Sequence, residues 1–73
     1  MISSNEIRDY YVGLRNDIKV ATKRKTLAIL EKHSRQYMHR MTTPAVKPAL
    51  RKKAMSEHKK TLKAIQAKRK QLK

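Results

Sequence analysis

The sequence predicts an all-α fold: a small bundle of two or three helices with a basic C-terminal helical arm, partly disordered on its own. Three observations predict it. Apolar residues recur at helical spacing in three stretches. The only prolines, Pro44 and Pro48, fall between the second and third of these. Strand-like composition is confined to Tyr10-Tyr11-Val12, which the helical stripe claims better. The expected helices run over about 3–21, 26–42 and 49–68. Residues 1–42 are expected to form the helical core module, 43–48 a proline-containing linker, and 49–73 the basic arm or tail.

The first helix has a start signal. Ser3 as N-cap and Glu6 three residues later make a capping box, and Ile2 and Ile7 stand where a hydrophobic staple closes. At about 100° per residue, Ile7, Tyr10, Tyr11, Leu14, Ile18 and Ala21 share one stripe. Gly13 is the only glycine; mid-helix it is either a close-packing point or a break.

The second helix carries Leu27, Leu30, Met38 and Met41, with Ser34 inside its stripe and Tyr37 at the margin. Continued as one straight helix, Leu27 would face nearly opposite to Ile7. A bend within residues 22–26 is therefore expected. Each proline disfavours helical geometry in the residue before it, so residues 42–48 read as a connection. The third segment has high helix propensity but a lean stripe: Leu50, Ala54, Thr61, Leu62, Ile65 and Leu72. Its last ten residues carry no cap and are expected to fray without a partner.

Seventy-three residues supply only a small core. There is no Phe or Trp, and 20 Lys and Arg oppose 5 Asp and Glu. Self-repulsion at +15 works against compactness, so a marginal fold tightened by a partner is expected. Cysteine is absent, which excludes disulfides and thiolate metal sites and fits a reducing cytoplasm. No apolar run approaches the roughly 18 residues of a membrane span, and the N-terminus lacks the pattern of a secretion signal. No membrane partner is expected.

Charge climbs along the chain. Residues 1–21 balance to zero, residues 22–42 carry +5, and residues 43–73 carry +10. A neutral end and a cationic end suggest two jobs: one meets protein, the other meets polyanion. Lys52, Lys53, Lys59, Lys60, Lys63, Lys68, Arg69 and Lys70 are the candidate phosphate contacts, with Lys73 beyond them. On a helix they surround most of the circumference, which suits electrostatic attraction better than one docking face. Lysine behaves as a flexible point charge, so low sequence specificity is expected. The Tyr10/Tyr11 stripe reads first as core closing over Leu27, Leu30 and Met41; where part of it is instead an exposed anchor, Tyr10, Tyr11 and Arg15 are the candidate protein contacts, with Tyr10 inside and Tyr11 at the rim.

Enzyme chemistry is not expected. The acidic residues form no close pair, the histidines have no carboxylate at ligand spacing, and one glycine builds no phosphate loop. Neither a catalytic residue, a metal, a cofactor nor a small-molecule substrate is anticipated. His33 and Tyr37 are i,i+4 neighbours suited to stacking or hydrogen bonding. No RNA-recognition motif, zinc finger or leucine zipper is present in the sequence.

Short, cysteine-free, helical, basic-tailed and without catalytic residues, the whole chain resembles the small phage-encoded regulators that bind host RNA polymerase. The resemblance implies docking on a polymerase subunit, inhibition of initiation and read-through of terminators, in the host cytoplasm. The expected function is thus non-enzymatic transcription regulation. The neutral module would contact RNA polymerase or another transcription protein, and the basic arm DNA or RNA phosphates. The alternative is a structural nucleic-acid-binding protein, ribosome-associated or DNA-packaging, without polymerase contact.

Overall fold

A computed structural model describes residues 2–72. It contains three helices: α1 (Ser4–Val20), α2 (Arg24–Met41) and α3 (Pro48–Gln71). No strand occurs among the described residues. Lys73, the last residue of the basic segment, lies outside them.

The start of α1 follows its sequence signal. Ser3 is the N-cap, and its hydroxyl accepts the Glu6 backbone N–H at 3.2 Å. Ile7 is buried, but Ile2 remains 39% exposed and borders Val46 and Leu50 at the α2–α3 turn. The chain bends at Ala21, whose extended backbone ends α1, and resumes helical geometry after Lys23. Gly13 neither breaks α1 nor marks a close approach. The helix runs through it, and a Cβ added there would meet nothing within 4 Å.

Both prolines act where their fixed φ is useful. Pro44 follows Thr43 in a turn closed by the Val46 N–H donating to the Thr43 carbonyl at 3.0 Å. Pro48 opens α3 at a position whose N–H would be unpaired in any case, after an extended Lys47. The 24 residues of α3 span about 36 Å at 1.5 Å per residue, close to the 41 Å long axis of the molecule.

The core joins Ile7, Tyr11, Leu14, Ile18 and Ala21 to Leu27, Leu30 and Met41, and to Ala54 and Ile65 of α3. Here the packing corrects one expectation. The first two helices do not make the core by themselves with the third as a hinged arm. α3 packs more extensively on α1 and on α2 than these pack on each other. It lies parallel to α1, where Arg15 meets Glu57 and Lys19 meets Lys68, and antiparallel to α2, where Arg24 meets Leu72.

The reason lies in two side chains that the apolar stripe omits, Glu57 and His58, which are buried beside its Thr61, Ala54 and Ile65. Thr61 donates to the Glu57 carbonyl one turn back at 2.9 Å. Ser34 of α2 and His58 of α3 meet at 2.6 Å between Oγ and Nδ1. The end of α3 is also fastened. The Arg24 guanidinium donates to the Leu72 and Arg69 carbonyls at 3.0 and 3.4 Å, and the Lys68 ammonium donates to the Lys19 carbonyl at 2.7 Å. These bonds satisfy carbonyls that a helix C-terminus leaves unpaired. No helix among the described residues is long and apolar enough to cross a membrane.

Candidate nucleic-acid interface

The structure sorts the eight predicted phosphate contacts into two sets. Four are turned to internal partners. Lys53 and Lys60 approach the Glu57 carboxylate at 3.5 and 3.3 Å, Lys68 holds the Lys19 carbonyl, and Arg69 lies 3.5 Å from Glu31. The other four, Lys52, Lys59, Lys63 and Lys70, are exposed and have no ion pair or hydrogen bond from their side chains to the described residues.

Helix geometry makes those four a line. At about 100° per residue they fall within about 40° of one another, on the side of α3 opposite Ala54, Thr61 and Ile65. From Lys52 to Lys70 the line runs about 27 Å at 1.5 Å per residue. Between Lys52 and Lys70 only Met55, Ser56, Gln66 and Ala67 border it closely on the exposed face, and no acid interrupts it. Within the expected girdle of charge these four form one outward stripe, while Lys60 and Arg69, though paired with carboxylates, stay water-accessible beside it.

The acids explain the sorting. Glu6, Asp9 and Asp17 are exposed on α1, whereas the two acids of the basic two-thirds of the chain face cations within the bundle. Glu57 is 1% exposed and meets Arg15 at 2.8 Å as well as Lys53 and Lys60. The Arg15 contact is short and brings the guanidinium directly against the carboxylate. Burial alone would push the Glu57 carboxyl up. Arg15, Lys60 and Lys53 override that and hold it below the ordinary glutamate value. Glu31 ties Arg35 within α2 and Arg69 across to α3.

The predicted protein contacts are mostly part of the fold. Tyr11 is fully buried, not at the rim, and its hydroxyl donates to the Ser34 carbonyl at 3.0 Å. Burial pushes its phenol up to about 12. Arg15 belongs to the Glu57 cluster. Tyr10 is half-buried and stacks on Tyr37 with centroids 3.8 Å apart and planes 14° apart. The assignment of Tyr10 to the inside and Tyr11 to the rim is thus reversed. Tyr11 stands one position further round the helix, on the line through Ile7, Leu14 and Ile18.

Ser34 and His58 have the separation of a nucleophile and its base. Ser34 is fully buried, however, and neither residue lines a surface depression described for the molecule. The pair joins α2 to α3. Burial first, then Arg35 and His39, hold the His58 imidazole below its ordinary value, against an opposing pull from Glu31. No group of three His, Asp or Glu side chains able to hold a metal occurs among the described residues. Comparison with protein-family models, with curated proteins and with solved structures found no match to this chain.

Proposed function

We propose that this protein binds nucleic-acid phosphates, without catalysis, along the outward lysine stripe of α3. The observation that supports this reading is the segregation of charge. Each acid in the basic region is paired with cations of the bundle, Glu57 in its interior and Glu31 nearer its surface, while Lys52, Lys59, Lys63 and Lys70 form one unopposed row. Solubility needs no such row, since interspersed charge of either sign serves it. Duplex DNA carries one negative charge per about 1.7 Å of axis, so a row about 27 Å long meets more phosphates than it has lysines. Lysine heads on flexible stems follow a backbone without reading bases.

Transcription regulation through RNA polymerase is a narrower form of this proposal. It requires a protein-facing surface in addition, and of Tyr10, Tyr11 and Arg15 the second is buried and the other two are only partly exposed. Phosphate binding is the part that the exposed side chains support directly.

The test is duplex binding as a function of salt. With up to four phosphate contacts, the logarithm of affinity should fall against the logarithm of salt with a slope of about −3 to −4, at roughly −0.9 per contact. Each single Lys→Gln change in the stripe should make the slope shallower by about 0.9. Binding that ignores salt, or four single variants indistinguishable from the parent, would overturn the proposal.

A further inference from the structure

On the α1–α2 side of the bundle, Tyr10, His33, Gln36, Tyr37 and Arg40 enclose a half-open depression of about 350 Å³. The four α2 residues stand at i, i+3, i+4 and i+7, one stripe along the helix. Glu31, Ser34 and Arg35 lie on other parts of α2's circumference, where Glu31 and Ser34 meet α3. The depression and the lysine stripe therefore occupy different faces.

We infer that this depression takes one unpaired nucleobase, stacked against the Tyr10–Tyr37 wall, with its phosphate beside Arg40. The inference rests on the nucleic-acid reading above and extends it from phosphates to bases.

The wall is assembled by contacts within the bundle. Tyr11 meets both other rings edge-on, at 5.4 Å and 90° from Tyr10 and at 5.5 Å and 79° from Tyr37. Its own hydroxyl is anchored on the Ser34 carbonyl. Rings held by such contacts lose less freedom on binding than free ones. Tyr10 and Tyr37 cover each other's inner faces, so the base would stack on the outer face of one of them, and an aromatic face accepts any base. Gln36 brings both a donor and an acceptor to a base edge, and Arg40 brings charge for the adjoining phosphate. The volume sits at the small end of ligand sites. A protein side chain is a poorer fit, because a protein anchor needs apolar, desolvated walls, and three of the five residues here carry exposed polar heads. A duplex keeps its bases stacked inside and offers none to the wall.

The experiment uses the full chain and two kinds of probe. Adenosine monophosphate and ribose 5-phosphate are titrated separately while the amide resonances are followed by NMR. A 12-nucleotide oligo(dA) strand and a 12-base-pair duplex are then compared by fluorescence anisotropy. The expected result is saturable shifts at Gln36, Tyr37 and Arg40 with adenosine monophosphate but not with ribose 5-phosphate. Tyr37→Leu should weaken the single strand about tenfold and leave the duplex unchanged. Because Tyr37 also packs against the core, Gln36→Ala and Arg40→Gln serve as surface variants, with Lys32→Gln as a charge-matched control. They should weaken the single strand several-fold more than Lys32→Gln does. Equal shifts from both small probes, or equal losses for strand and duplex in every variant, would reduce the site to a phosphate contact and overturn the inference. Absent shifts with duplex binding intact would overturn it while leaving the lysine stripe standing. Base-dependent shifts with no salt-sensitive duplex binding would support the pocket and remove the stripe.

Discussion

The two sides of α3 carry the same kind of residue to opposite ends. On its flanks Lys53, Lys60, Lys68 and Arg69 reach back to carboxylates or carbonyls of the bundle. On its outer line Lys52, Lys59, Lys63 and Lys70 reach into solvent. The difference is set by angle around the helix, not by residue type. A basic helix can thus be cemented into a strongly cationic protein by some of its charges while the others stay open to a ligand. Two acids, Glu57 and Glu31, supply the carboxylate part of that cement.

Removing the buried acid is the hardest blow to this distinction. Glu57→Ala leaves Arg15, Lys53 and Lys60 facing one another across the α1–α3 contact. Breaking a fully buried pair costs about 3–5 kcal/mol, but these cations keep access to water, so about 2–3 kcal/mol is expected in urea unfolding. A loss below about 0.5 kcal/mol would show that the cluster does not hold α3.

Acidification attacks the same inner side from within. The His58 pKa is lower in the folded state than its ordinary 6.5, so the unfolded chain takes up the proton first. The contribution from His58 is complete above about pH 6.5 and is lost as pH falls through the folded-state value. Glu57, also lowered in the folded state, adds a second decline below its ordinary 4.5. The melting temperature should therefore drop between pH 7.5 and pH 5, and His58→Gln should flatten that part of the profile. A flat profile in the parent would contradict the Ser34–His58 arrangement.

Glu31→Gln probes the weaker tie. Its partners Arg35 and Arg69 are well exposed, so about 0.5 kcal/mol is expected from the same unfolding assay. Gly13→Ala moves the other way. With open space at the Cβ position, it should stabilise α1 by about 0.5–1 kcal/mol and leave nucleic-acid affinity unchanged. A destabilised Gly13→Ala protein would mean that α1's outer surface is not open as described.

Much of this architecture is legible in the sequence because its signals are local. The Ser3 cap, the α1 stripe, the bend after Ala21 and the placing of both prolines depend on neighbours a few residues apart. The outer lysine line was legible too: it lies opposite Ala54, Thr61 and Ile65 on the same helical wheel. It was hidden among eight cations because nothing local separates the tied from the open. Lys68 is tied by a carbonyl 49 positions earlier, and Glu57 by an arginine from another helix. The same distance conceals the core role of α3. Glu57 and His58 read as polar surface until Arg15 and Ser34 are brought to them by the fold. Lys53, Glu57 and Lys60, spaced i, i+4 and i+7, gave a partial hint, since a lone acid between two lysines is a natural centre for ion pairing. The Tyr10–Tyr37 wall needed the antiparallel meeting of α1 and α2, which neither helix shows alone.

The central claim is that the eight cations divide by angle into cement and binding row. Two charge-matched variants test it. One carries Lys52, Lys59, Lys63 and Lys70 as glutamine, the other Lys53, Lys60, Lys68 and Arg69. Each removes four positive charges from α3, and both are measured for melting temperature and for the salt slope of duplex binding. The account predicts that the first keeps its melting temperature and loses most of its salt-dependent affinity. The second should melt several degrees lower and keep a slope within about one unit of the parent. Equal losses of affinity in both, with equal melting temperatures, would mean that net charge alone governs binding and that the division does not exist.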